Sequence, residues 1–331
     1  MSLLEATTPA PKSPIKMDSP CAIIGLRKSN HPDGFGFRAN KDEQNMSNLA
    51  ELMPGLVGDS NERWGAECDV FREIIEDLLS AKNENEKLRC LHMSPETAVE
   101  ITNLREEYGD RLIHYANEPN DYMRDLSLEF LRGRGRSTIR MTNFRWSGLG
   151  TVLKKRFDLI TSMSSRFSRL KDDHARMVAM GNFHNLLEGS ESRMILSIPN
   201  LAPTVKKIKK TRRPLTTDDA LDMSPLFNGN DTLVIPESWN KSSDSVLLRF
   251  TRGDSDLEDT EDDAKLRLMN LTPDEVIDLH RRARIKVLRV LGDWEEIGAS
   301  EDGEYPDINE KVLKNGKVPN FYQFISQREQ E

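Results

Sequence analysis

Apolar residues recur between residues 142 and 187 at Trp146, Leu149, Leu153, Phe157, Ile160, Met163, Phe167, Leu170, Met177 and Leu187. Steps of three and four place them on one stripe of a helix, in a pattern that resembles a heptad seam. The spacing predicts a single very long amphipathic helix from Thr142 to about Leu187, weakened near its end by His174, Gly181 and His184. Such a stripe must be covered by other helices of the chain or by a partner. Leu149, Leu153, Phe157, Ile160, Met163, Phe167 and Leu170 are the candidate partner seam.

Three shorter helices are predicted upstream. One begins near Asn61 to Glu67 and carries Val70, Phe71, Ile74, Ile75, Leu78 and Leu79 on one face, with Glu73, Glu76 and Asp77 turned to solvent. Ser94-Pro95 opens the next, serine as cap and proline in the first turn. Its stripe runs through Ala98, Ile101, Leu104, Tyr108, Leu112 and Tyr115 to a stop at Asn117-Glu118-Pro119. A short third helix is expected to bury Tyr122, Leu126, Phe130 and Leu131 and to end at Gly133. Beyond Leu187, Met194 to Ile198, Thr232 to Ile235 and Ser245 to Thr251 are short β-prone runs. Thr272-Pro273-Asp274-Glu275 then starts a last helix, with Glu275 placed for a capping box, which runs to about Gly298. Phe321, Tyr322, Phe324 and Ile325 form an aromatic cluster that is either a staple on the core or a linear binding motif.

The expected fold class is therefore mainly α: a helical bundle with one long heptad-like helix, flanked by disordered segments and a few β-prone runs. The expected divisions are a disordered tail at 1–58, a bundle at 62–188, an irregular region at 189–271, an amphipathic helix at 272–298 and a tail at 299–331.

Charge changes this picture. The chain carries a formal −8. Between Arg132 and Arg176, however, twelve cations face three acids, a local +9. Arg132, Arg134 and Arg136 alternate with glycine, and guanidinium forks on a flexible loop suit phosphate oxygens. With Arg140, Lys154 and Lys155 they form the candidate surface for nucleic acid or an acidic partner. Lys206, Lys207, Lys209, Lys210, Arg212 and Arg213 resemble a monopartite nuclear localisation signal, which points to the nucleus. Gly253 to Asp263 holds seven acids and no cation, a pattern of solvated linkers. Thr8, Ser13 and Ser19 each precede proline, and Ser255 precedes acids; these are the candidate phosphorylation sites.

No reaction is legible. Gly34 to Ala39 matches G-x-G-x-x-A, but no buried strand precedes it and no helix start follows, so no nucleotide cofactor is expected. The histidines (His31, His92, His114, His174, His184 and His280) lack metal-ligand spacing, and Cys21, Cys68 and Cys90 are isolated, which fits a reducing compartment. No serine-hydrolase elbow, zinc-helix pair or P-loop is present. The leading expectation is a non-enzymatic nuclear scaffold or adaptor of a chromatin- or cell-division-related complex. It would bind protein partners through helical seams and possess no membrane segment and no small-molecule substrate. One alternative is a nucleic-acid-packaging protein of viral nucleoprotein type; a second is a helical enzyme.

Overall fold

A computed structural model of the chain describes residues 45–52, 60–95, 98–133, 139–163, 165–211, 215–216, 219–221, 232–252, 263–299 and 316–329. Its elements in order are α1 (residues 45–52), α2 (Ser60–Ser80), β1 (Leu88–Met93), α3 (Val99–Tyr108), β2 (Leu112–Asn117), α4 (Asp121–Gly133), β3 (Arg140–Thr142), α5 (Leu149–Val152), β4 (Leu159–Ser162), α6 (Asp173–Leu186) and β5 (Arg193–Pro199). Then come α7 (Ala202–Lys210), β6 (Thr232–Asn240), β7 (Ser245–Arg252), β8 (Ala264–Met269), α8 (Pro273–Arg282), β9 (Ile285–Gly292), β10 (Glu295–Ala299) and β11 (Phe321–Arg328).

The fold is α/β, not a helical bundle. Eight strands form one mixed sheet in the order β10-β9-β11-β5-β4-β1-β2-β3. Strands β1 to β5 are parallel to one another, while β11 runs antiparallel to both β5 and β9. On one face α2 and the Leu104 side of α3 pack on Leu88, Cys90, Leu112, Leu159, Ile195 and Ile325. On the other, Ala179, Met180 and Phe183 of α6 and Val276 and Leu279 of α8 cover Leu91, Ile160, Leu196 and Phe324. Parallel strands covered on both faces read as short continuous apolar runs, so the period-two signal disappears.

That is why the long seam misled. The stretch expected to be one helix is instead β3, a 3-10 turn at Trp146–Gly148, α5, an extended segment, β4, a second 3-10 turn at Phe167–Arg169, and α6. Short buried pieces in series generate three- and four-residue steps without a common axis. Leu149, Phe157, Ile160 and Phe167 lie in the core beneath α6, with Leu153 and Leu170 packed against it, and Met163 is buried on the α2 face. The seam is spent inside the chain and offers nothing to a partner.

Two other helices were expected too long. The helix opened by Ser94-Pro95 ends at Tyr108, Gly109 turns the chain at φ 54°, and Leu112 to Tyr115 are strand β2. The last helix keeps its capping box, with Thr272 Oγ1 accepting from Glu275 N and the Glu275 carboxylate accepting from Thr272 N at 2.8 Å. It stops at Arg282, however, and Arg284 at φ 58° leads into the β9–β10 hairpin. Ile285, Val287 and Val290 are β-branched and bury against the sheet, which overrides the helical spacing. The α2 face is as expected: Val70, Phe71, Ile74, Ile75, Leu78 and Leu79 are buried and Glu73, Glu76 and Asp77 exposed.

A second layer is inserted between β5 and α8. Strands β6-β7-β8 form an antiparallel sheet. Its Val234, Val246, Leu248, Phe250, Leu266 and Leu268 share a core with Leu49 and Leu52 of α1 and Val205 of α7. The same core takes in Val99, Met123, Leu201 and Phe321, which open α3 and α4, follow β5 and open β11. All four lie where the parallel strands end. The inserted layer therefore roofs the carboxyl end of the main sheet.

Candidate functional site

In an open parallel sheet the strand order reverses at one point, and the loops leaving the carboxyl ends there diverge to open a crevice. Here β1 is followed outward by β2 and β3 on one side, while β4 and β5 lie on the other. The crevice thus opens between the ends of β1 and β4. Ser94 follows β1, Ser162 ends β4, and Glu118 follows β2.

Ser94 is held at φ 54° and Ala98, which precedes α3, also at φ 54°. That left-handed region costs a residue with a Cβ, and glycine usually occupies it. The sequence has no glycine between Gly65 and Gly109. Ser94 N donates to Asn117 O at 2.8 Å and Ala98 N to Pro95 O at 2.7 Å, so both amides are engaged within the protein. Ser94 is 3% exposed and its Oγ has no hydrogen-bond partner. The Ser162 hydroxyl is likewise buried and unpartnered.

Asn117 ties β2 to β3. Its Oδ1 accepts from Thr142 Oγ1 at 2.8 Å and Phe144 N at 3.0 Å, and its Nδ2 donates to Phe144 O at 3.0 Å. This fixes Glu118, which is 1% exposed, at the crevice side of the sheet. Glu118 Oε1 accepts from Asn120 N at 2.8 Å and pairs with Arg166 Nη1 at 3.6 Å. A buried carboxylate held this way is a fixed acceptor.

Beneath the crevice, on the α3 face, four polar side chains connect. His92 Nδ1 lies 3.0 Å from Thr161 Oγ1, and His92 Nε2 lies 3.0 Å from His114 Nδ1. Thr161 Oγ1 donates to Glu100 Oε1 at 3.4 Å. Burial pushes the His92 pKa down to about 3 and that of His114 to about 2, so both rings are neutral. The spacing of these histidines along the chain gives no sign that they meet. Their proximity comes from register, since His92 faces Thr161 on β4 and Cys90, two residues back, faces His114 on β2.

The residues singled out from the sequence are placed elsewhere. Arg132 ends α4, Arg140 begins β3, and Lys154 and Lys155 precede β4; all four are exposed at the amino end of the strands, opposite the crevice. Lys155 Nζ donates to Tyr115 Oη at 2.8 Å. Lys206, Lys207, Lys209 and Lys210 are exposed on α7, where Lys207 pairs with Asp219 at 2.9 Å and Lys209 sits 3.9 Å over the Trp239 ring. Arg134, Arg136, Arg212, Arg213, Thr8, Ser13, Ser19 and Ser255 lie outside the described residues. Among the described residues no group of three or more His, Cys, Asp or Glu could hold a metal ion, and no helix is long and apolar enough to cross a membrane.

Sheet order and inserted roof together define an α/β fold of the doubly wound class. No protein-family model and no curated protein matches the sequence. Solved structures do match the fold. An S-adenosylmethionine-dependent methyltransferase from Clostridium acetobutylicum ATCC 824 superposes with a TM-score of 0.56 at 13% identity, covering 88% of this chain and 99% of that one. The CcbJ methyltransferase from Streptomyces caelestis gives 0.54 at 10% identity, covering 82% of this chain and 91% of that one. Streptomyces venezuelae DesVI gives 0.50 at 12%, covering 87% and 98%.

These likenesses correct the functional expectation. The scaffold reading leaned on a long helical seam, and the nucleoprotein reading on a basic helical cleft over the same stretch; that helix does not exist, and the named neighbours of the fold are enzymes. A coiled coil, a chromatin role and protein partners on the seam fall with that helix. The expectation of no small-molecule ligand is set aside as well: one neighbour's description names S-adenosylmethionine, a small molecule, as what that protein depends on. The polar groups that the fold places at the crevice are the Glu118 carboxylate and the unpartnered Ser94 and Ser162 hydroxyls.

Proposed function

We propose that this protein is an S-adenosylmethionine-dependent methyltransferase acting on a small-molecule acceptor. The observation that carries the reading is the roofed crevice at the β1–β4 switch point, set in a sheet order whose fold is shared with solved methyltransferases. Bound there, the cofactor supplies a methyl group on a sulfonium, ready for attack by a nucleophilic atom of the acceptor. Glu118 is the residue we assign to a ribose hydroxyl. In dinucleotide folds an acid about 20 residues beyond the first turn has that role, and Glu118 follows Ser94 at comparable spacing. The half-buried Phe144, anchored by Asn117, offers a flat apolar surface beside it. The inserted layer, packed over the carboxyl end of the main sheet, would keep water from the reacting centre.

Titration calorimetry with S-adenosylmethionine and S-adenosylhomocysteine tests the reading. One-to-one micromolar binding is expected. Ligand at a hundred times its dissociation constant should add about 2.7 kcal/mol of stability, seen as a rise in Tm. Absence of both heat and thermal shift for either compound would sink the proposal.

A further inference from the structure

The polar chain on the α3 face ends at a cavity of about 180 Å³ that the crevice chemistry does not use. His114 lines it, with Lys87, Arg105 and Asp110 around the ring and Leu112 and Ile139 completing the wall. Lys87 precedes β1, His114 lies in the first half of β2 and Ile139 precedes β3, so the cavity sits toward the amino ends of the strands, away from the crevice. Pockets for drug-sized ligands begin near about 300 Å³. At about 30 Å³ per water, this one has room for a tetrahedral oxyanion and little more.

The hydrogen-bonded chain fixes which nitrogen of His114 carries its proton. The Thr161 hydroxyl has one hydrogen and donates it to Glu100 Oε1, so from His92 Nδ1, 3.0 Å away, it can only accept. Nδ1 therefore holds the His92 proton, and in a neutral ring Nε2 is then bare. That bare nitrogen accepts from His114 Nδ1 at 3.0 Å, which leaves His114 Nε2 bare in turn. Both rings are neutral because burial disfavours their charge, helped at His114 by His92 and the Arg105 cation. His114 is 6% exposed and its Nε2 has no hydrogen-bond partner. With Nδ1 turned to His92 on β1, that nitrogen points away from β1, in a ring that lines the cavity. A buried lone pair with no donor calls for an explanation. Whatever satisfies it must bring a hydrogen. Lys87 and Arg105 against Asp110 also leave the lining one net positive charge, which favours an anion.

We propose that this cavity binds inorganic phosphate as hydrogen phosphate, whose O–H donates to His114 Nε2 while its other oxygens accept from Lys87 and Arg105. Ammonium and guanidinium groups both suit such oxygens. The bare nitrogen is the selecting group. Sulfate has the same shape but no hydrogen at neutral pH, and a phosphomonoester above its second pKa of about 6 has lost its own. Either would leave the buried acceptor unpaired and set its lone pair against a negative oxygen. The proposal goes beyond the methyltransferase reading and does not rest on it.

The full chain, freed of phosphate, is titrated by calorimetry at pH 7.5 and matched ionic strength with sodium phosphate, sodium sulfate and glycerol phosphate. One phosphate should bind, at least about tenfold more tightly than either other anion, the discrimination expected when a buried acceptor is left unpaired. Lys87→Ala, at an exposed position outside the crevice, should weaken phosphate binding about tenfold, as loss of a charged hydrogen bond does. Absence of phosphate binding overturns the site. Sulfate or glycerol phosphate binding as tightly as phosphate overturns it too, because Nε2 would then be a donor and the chain would run the other way. Wild-type phosphate affinity in Lys87→Ala would place the anion elsewhere and also refute the proposal. No titration contains S-adenosylmethionine, so each of these failures leaves the methyltransferase reading standing.

Discussion

Lowering the pH from 7.5 to 5.5 should cost the folded protein about 4 kcal/mol, about 1.2–1.4 kcal/mol for each of three buried histidines. His92, His114 and His280 are neutral in the folded state because burial holds their pKa values at about 3, about 2 and about 4. In the unfolded chain each returns to the ordinary value near 6.5. The unfolded state therefore takes up the protons. Stability is complete above about pH 6.5 and falls progressively as the pH drops toward those folded values. His280 is packed against Phe324 and its Nδ1 lies 2.7 Å from Val276 O, so the ring cannot turn to water without opening α8. Asp173 and Asp278 are held below the usual carboxylate range by their hydrogen bonds to Arg282 and Arg281, so they act only at lower pH. Urea unfolding at pH 7.5, 6.5 and 5.5 reads the slope. His280→Leu should reduce it by about 1.4 kcal/mol per pH unit below pH 6. A free energy of unfolding that stays flat across the range would refute the neutral histidines.

Phe324→Ala should cost about 3–5 kcal/mol, enough to bring a typical domain close to unfolding. Phe324 is 0% exposed at the middle of β11, between Leu196 of β5 and Val290 of β9. Deleting its ring leaves a cavity between two strands whose positions the surrounding sheet fixes, so collapse is limited. Val318, a few residues earlier and 49% exposed, is the internal control: Val318→Ala should change stability by less than about 0.5 kcal/mol. The two substitutions also decide what the C-terminal aromatic cluster is. A linear motif hung on the surface would lose nothing from either change. Equal small effects at both positions would remove β11 from the sheet.

Parts of this architecture were legible. The paired apolar residues of α2, the α4 helix ending at Gly133, the strands near 194–198, 232–235 and 245–251, and the capping box of α8 all follow from local chemistry, and the structure contains each of them. The missed signal was the alternation itself. Leu88 to Met93, Leu112 to Ala116, Leu159 to Ser162 and Met194 to Ile198 are short apolar runs separated by helical stretches, the pattern of successive βαβ units. It was obscured because strands buried on both faces do not alternate, and because a seam drawn through Leu153, Phe157 and Ile160 fits a helix equally well. The site was less legible still. Ser94 reads as an ordinary helix cap before Pro95, and nothing local reveals its positive φ. Glu118 reads as part of a helix stop.

What the sequence determined by itself was local: which residues are apolar, where helices can begin, and where glycine or proline must end them. Those preferences are set within one or two turns of chain, by side-chain entropy, capping and backbone sterics. Tertiary structure alone decided that β11, the last of the described strands, lies between β5 and β9, and that the strand order reverses where β1 pairs with β4, so that the loops leaving them diverge. It also decided that His92, Thr161, His114 and Glu100 meet, although 61 residues separate Thr161 from Glu100 and 69 separate it from His92. Strand order and register are fixed by summed burial across the whole sheet, a quantity to which each residue contributes only after its distant neighbours are in place.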